Sequence, residues 1–132
     1  YLQRQRLKSA ALSLETDLKE ARYEAARRGT AVGVVFSTSG DWCYAIATTP
    51  DCDCHVQHAC RLKTVRGSDL RGVLLLQATN PRFDPASGNT GQPGPAATWA
   101  ISTGEQLRVN VSVLGRPSVC VVAGAMPGLA PC

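Results

Sequence analysis

The feature that most constrains this chain is a row of small and aliphatic residues near its start. Leu7, Ala11, Leu14, Leu18, Ala21 and Ala25 recur at intervals of 4, 3, 4, 3 and 4, which places all six on one stripe of an α-helix. The positions between them are largely polar. No glycine or proline interrupts the run before Gly29, which follows Arg27 and Arg28. A glycine suits the position just beyond a helix end, and positive charge suits its last turn. A helix of 28 residues would be about 42 Å long at 1.5 Å per residue, longer than a domain of this size is wide. Its stripe of alternating Ala and Leu suits packing against a sheet. Its first turns, Tyr1 to Lys8, carry few apolar residues and are expected to project.

Beyond Gly29 the period changes from helical to two. Val32, Val34 and Phe36 alternate, a turn follows at "STSGD", and Trp42, Tyr44 and Ile46 alternate again, which predicts a hairpin. "GVLLLQA" (72–78) reads as a buried strand, residues 79–97 as a long Pro- and Gly-rich loop, and "ATWAIS" as a short strand. In "LRVNVSVLGRPSVCVV" the residues Leu107, Val109, Val111 and Val113 face one way, and Arg108, Asn110 and Ser112 the other. Gly115 turns the chain into a return strand that tolerates Pro117 at its first position. One long helix followed by antiparallel strands is an α+β fold with a long N-terminal helix packed on an antiparallel sheet. The helix, residues 1–28, and the β-rich head, residues 29–132, form one domain.

No apolar run approaches the ~20 residues that cross a bilayer, and no basic-then-apolar leader is present. The chain begins at Tyr1 rather than methionine, as a processed product or a piece with its start removed would. Charge is unevenly spread: residues 1–28 carry seven basic and four acidic side chains, and residues 29–132 seven and six. A nucleic-acid module normally has a stronger basic excess than this head.

Six cysteines remain to be explained, three of them in "DCDCHVQHAC" (51–60) beside two histidines. Cys52, Cys54, His55, His58 and Cys60 have the right chemistry for zinc, but zinc sites typically pair one Cys-x2–4-Cys unit with a distant second pair, and here the groups crowd one loop. A Cys/His nucleophile needs an orienting third group that nothing in the sequence specifies. An even number of cysteines in a small, exported-looking chain reads as a disulfide framework. Cys120 in the last strand and Cys132 at the last position make one pair, tying down a Gly/Pro-rich tail. Closing a loop of that length is worth about 3 kcal/mol in the chain-entropy model. Cys43, Cys52, Cys54 and Cys60 then pair among themselves, in an order the sequence does not fix, and staple a loop in an oxidising compartment. No cofactor, metal or catalytic constellation is expected.

The stretch "LETDLKEARYEAARRGTAVGVVFS" resembles the helix-to-first-strand junction of the GspH/FimT family of type IV minor pilins and type II secretion pseudopilins. The pattern L-x-x-x-L-x-x-A-R-x-E-A-x-x-R fits through Leu14, Leu18, Ala21, Arg22, Glu24, Ala25 and Arg28. A Trp42-bearing second strand, "FDPASG" (83–88) and the closing "VSVLGRPSVC" hairpin follow in the family's order. The resemblance implies a type IV pilin-like fold whose helix is the C-terminal half of a longer one, its hydrophobic first half anchoring the subunit in the inner membrane. It implies no enzyme, and a subunit polymerised into or capping a pilus or pseudopilus with other major and minor pilins. The location would be the bacterial inner membrane and periplasm, then the cell exterior. The stripe Leu7, Ala11, Leu14, Leu18, Ala21 and Ala25 would serve filament packing. FimT-type members also resemble one another in a Gly-Arg-x-Arg motif associated with binding duplex DNA during natural transformation. Here the matching stretch is Gly115-Arg116-Pro117-Ser118, with the second arginine replaced. Arg108, Arg61, Lys63, Arg66 and Arg71 are the further basic residues that a DNA surface would recruit, each phosphate contact adding to the salt dependence.

Overall fold

The computed structural model of the protein describes residues 2–38 and 41–132. Helix α1 runs Leu2–Arg28. Eight strands follow: β1 Val32–Ser37, β2 Cys43–Ala47, β3 Arg61–Arg66, β4 Leu74–Ala78, β5 Arg82–Phe83, β6 Gly94–Ala100, β7 Gln106–Val111 and β8 Pro117–Ala123. They form two antiparallel sheets, one ordered β3-β2-β1-β5 and the other β4-β6-β7-β8. Helix α1 touches β1, β2 and β5 of the first sheet and β6, β7 and β8 of the second. One helix laid across two antiparallel sheets is the α+β, pilin-like arrangement expected from the sequence. Among the described residues no helix is long and apolar enough to cross a membrane.

The stripe explains the packing. Leu7, Ala11, Leu14, Leu18, Ala21 and Ala25 are all fully buried, joined by Ala10. Burying a leucine side chain contributes about 1.5–3 kcal/mol, and the alanines let the helix backbone come close to the strands. The opposing wall is aromatic. Trp99 on β6 lies 5.5 Å from Trp42, 6.3 Å from Tyr44 and 6.4 Å from Phe36 between ring centroids, so one ring from the second sheet keys into three on the first. The Trp42 indole N–H donates to the Val73 carbonyl at 2.8 Å.

Three sequence expectations need correction. The first turns of α1 do not project: Arg4 bonds the Ala125 carbonyl and pairs with Glu105, Arg6 bonds the Arg71 carbonyl, and the Gln3 side chain accepts from Ser102. Long polar side chains tie this end down beside the single buried Leu7. The 72–78 run is not a buried strand: β4 lies at a sheet edge, and Leu74 and Leu76 are 60% and 52% exposed. The apolar run had no period from which to read its faces. Residues 79–97 are not all loop, since they contain β5 and the start of β6.

Strand β3, invisible as a strand in the charged sequence RLKTVR, is held to the helix by a polar clamp. Asp17, buried on α1, accepts from the Tyr44 hydroxyl at 2.6 Å and pairs with Lys63 on β3 at 2.6 Å. Burial, and next the Asp17 carboxylate, raise the Tyr44 phenol well above its ordinary range, so it stays a donor at any ordinary pH. Replacing Asp17 with Ala leaves that buried hydroxyl without its acceptor. We predict a loss of about 1–3 kcal/mol, read by urea unfolding; an unchanged midpoint would show that the clamp contributes nothing.

Candidate functional site

The segments singled out by sequence meet where the second half of α1 faces two turns. In the first turn, Asp84 Oδ2 accepts from the backbone N–H groups of Ala86 and Ser87 and from the Ser87 hydroxyl, and Gly88 closes it by donating to the Asp84 carbonyl. Those bonds, the Ser87 N–H first, hold the Asp84 carboxyl below its usual value. The second turn joins β7 to β8. Ser112 organises it by accepting from the Arg116 backbone N–H, and Gly115 adopts φ +81°. Arg22 bridges the two: its Nε donates to the Gly88 carbonyl at 3.1 Å, and a Cβ built on Gly115 would overlap the Gly88 carbonyl and touch the Arg22 side chain. Glu24, two residues on, pairs with Arg27 and Arg28, each at 2.8 Å. The "ARYEAARR" motif is thus a structural lock in which Ala21 and Ala25 pack inward, Arg22 bonds the Asp84 turn and lies against Gly115, and Glu24 braces the helix end.

Of the six basic residues, Arg61, Lys63 and Arg66 share strand β3, while Arg71, Arg108 and Arg116 lie elsewhere in the fold. Lys63 is committed to Asp17, and Arg61 reaches the Cys54 carbonyl and the Gln57 side chain. Arg66 and Arg71 line neighbouring grooves that share Asp41 and Trp42. Arg108 lies on the second sheet against the Thr98 hydroxyl. Arg116 is exposed at the β7–β8 turn, near Arg22, a basic neighbour that sequence reasoning did not select.

The cysteines form Cys43–Cys54, Cys52–Cys60 and Cys120–Cys132. The first two staple residues 48–60 over the outer face of the first sheet, where Val35, Cys43, Ala45, Ala47 and Cys54 make a small second core. Cys43, Cys54 and His55 place ligand-type atoms within 4.8 Å of one another, but both sulfurs are spent in the disulfide and offer no thiolate to a metal. The His55 ring contacts the Ser37 hydroxyl, and the His58 Nδ1 accepts from the Cys60 N–H.

The filament-packing stripe also needs correction. Leu7, Ala11, Leu14, Leu18, Ala21 and Ala25 are all fully buried against the protein's own sheets, so no partner reaches them in this fold. The helix stripe, with the ring contacts of Trp99 between the sheets, closes their inner sides. The accessible line on α1 lies opposite, where Leu2, Leu12 and Tyr23 are 60%, 37% and 61% exposed. It follows two sets seven residues apart, Leu2, Ser9, Thr16 and Tyr23, and Gln5, Leu12, Lys19 and Ala26.

A comparison with protein families decides the identity of this arrangement. The family model described as type II transport protein GspH matches residues 10–115. The chain belongs to the GspH family. The match takes in the helix stripe from Ala10, the Arg22 lock, the Asp84 turn and the hairpin as far as Gly115. No curated protein and no solved structure matches the chain. GspH-family proteins are structural, pilin-like subunits of pilus or secretion machinery that assemble with other pilins or pseudopilins. The three disulfides fit the exported location that goes with such a role.

Two expected outcomes test the lock. Arg27, then Arg28, hold the Glu24 carboxyl at about 2 rather than its ordinary 4.5. The folded value lies below the unfolded one, so the brace is fully present above pH ~4.5 and is lost as the pH falls through about 2. Carboxyl-carbon NMR of Glu24 should show that midpoint, and Arg27→Ala should move it upward; a midpoint near 4.5 would remove the brace. Gly115→Ala should cost at least about 1–2 kcal/mol for the left-handed backbone alone, seen as a Tm several degrees lower; an unchanged Tm would contradict the close approach to Gly88.

Proposed function

We propose that this GspH-family protein is a minor pilin built into, or capping, a type IV pilus, and that the outward line of α1 meets the neighbouring subunits. The observation that carries this reading is the division of labour on the helix. One face is wholly consumed by the protein's own core, while the other keeps Leu2, Leu12 and Tyr23 accessible to a neighbouring subunit. Small residues between them, Ser9, Thr16 and Ala26, leave room for a second helix to approach. The head supplies further surface, and the disulfide framework suits a subunit that works in the periplasm and outside the cell.

A pseudopilin of a type II secretion machine is the second reading, favoured by the description of the matched family. Both readings use the same helix surface and differ in the machine served.

The test places a charge on that line. Leu12→Glu and Tyr23→Glu, at exposed positions, should leave the Tm of the isolated protein within a degree or two of the parent. In cells that assemble the filament, the double variant should lower filament number, or secreted cargo, about tenfold or more, which corresponds to losing ~1.4 kcal/mol of association free energy. Loss of surface pili with intact secretion assigns the protein to the pilus, and the converse to the secretion machine. Parental levels of both would end the proposal that this face is the contact.

A further inference from the structure

The three disulfides are not equally placed. Cys43, Cys54 and Cys60 are buried and Cys52 is half-buried, all within or under the stapled loop. Cys120 is half-buried on β8, and Cys132 is the one exposed cysteine. Cys120–Cys132 is therefore the pair that a thiolate from solvent can approach without the fold opening.

The two ends of this bridge also differ. In the ladder Arg108 stands opposite Cys120, and Asn110 opposite Ser118. All four lie on the outward face of the second sheet, away from buried Leu107, Val109 and Val111. There the Asn110 side-chain amide donates from Nδ2 to Cys120 Sγ at 3.2 Å. An N–H aimed at a sulfur favours its thiolate over its neutral form. Charge on this face points the same way. Arg108 is the one charged residue of β7, although its Nε leans to the Thr98 hydroxyl. Strand β8 and the tail beyond it carry no charged side chain, and Glu105, just before β7, is taken by Arg4.

We propose that Cys120–Cys132 is a thiol–disulfide exchange site opened by a dithiol, with Cys132 the attacked sulfur and Cys120 the leaving group. The dithiol's thiolate attacks Cys132 Sγ and forms a mixed disulfide. The Cys120–Cys132 bond breaks, and its electron pair leaves on Cys120 Sγ, where the Asn110 N–H stabilises it; a leaving thiol of lower pKa departs faster. The reagent's second thiolate then attacks its own linked sulfur, frees Cys132 and departs within a cyclic disulfide. Two electrons pass to the protein, and the dithiol's two protons end on Cys120 and Cys132.

Opening this bond releases a strap. The Val121 N–H donates to the Ala130 carbonyl and the Cys132 N–H to the Val121 carbonyl, both at 2.9 Å, so the tail covers the margin of β8. Met126 is buried in the main core, and Gly128, at φ +83°, separates it from this cover. Without the disulfide, two backbone hydrogen bonds and the partly buried Leu129 are left to hold a Gly- and Pro-rich segment against its conformational freedom. The strap beyond Met126 comes away, and the Val121 N–H and carbonyl meet water. This inference does not depend on which machine the protein serves.

The oxidised protein, treated with limiting dithiothreitol and trapped with iodoacetamide, is read by peptide mass spectrometry. Cys120 and Cys132 should be alkylated about tenfold faster, or more, than the other four cysteines. Hydrogen exchange at the Val121 amide should rise with them. In the reduced protein, the pH midpoint of Cys120 alkylation should lie below the ~8.5 of a free thiol. Asn110→Ala should raise that midpoint and slow the opening several-fold. If Asn110 only packed the tail, its removal would loosen the strap and speed the reduction instead. Reduction of all three pairs together, a Cys120 midpoint at or above ~8.5, a Val121 amide still protected, or unchanged or faster opening in Asn110→Ala would each overturn the proposal. The first three are read on the parent protein, so a variant that fails to fold does not shield it.

Discussion

Everything in this fold depends on one close contact, the alanine-and-leucine stripe of α1 against two sheets at once. Each sheet must bury its inner face, and here two four-stranded sheets share a single helix on that side. That works because the stripe alternates large and small: Leu7, Leu14 and Leu18 fill space, while Ala10, Ala11, Ala21 and Ala25 keep the backbone near the strands. A helix with bulkier residues at the alanine positions would stand away from the sheets and open gaps beside Trp99 and Tyr44. Tight packing leaves little room to absorb extra volume.

The apolar seam does not by itself set the helix's position along or around its axis, and polar ties do that. Gln3, Arg4 and Arg6 fix one end to loops of the head, Asp17 fixes the middle through Tyr44 and Lys63, and Arg22 fixes the far half to the Gly88 turn. A carboxylate buried at Asp17 is costly unless fully bonded, and both of its oxygens have partners. Arg22 serves a different end. By reaching a carbonyl in one turn while lying against Gly115 in the other, it makes the helix, the Asp84 turn and the β7–β8 hairpin a single unit. Three separate fragments of the sequence pattern are therefore one place in space.

Much of the architecture is legible in the sequence because its signals are periodic. The helix stripe, the Val32–Phe36 and Trp42–Ile46 alternation and the Leu107–Val111 alternation each report which face goes inward. Where the period fails, so does the reading. β3 was hidden because its cations sit on an edge, where charge is a protection rather than a sign of loop. The run at 73–76 is apolar throughout, so its sequence gave no clue that it borders solvent. The helix start looked free because its ties are side chains reaching distant carbonyls, which no local pattern records. The stripe reports a packing face, and its partner is the protein's own pair of sheets rather than a neighbour. The site was legible as a set of motifs and not as a junction, since the contact between Arg22 and Gly88 spans 66 positions of chain.

The stapled loop has a mechanical consequence. Tension applied along α1 would pass into the head through side chains that cross the helix axis, so several ties would be loaded in shear together rather than peeled one at a time. Cys43–Cys54 and Cys52–Cys60 lie outside that path, on the far side of the first sheet. They carry little of the load. What they do instead is hold β2 and the loop as a covalent splint, so that the sheet against which the helix pulls cannot stretch away at its outer face.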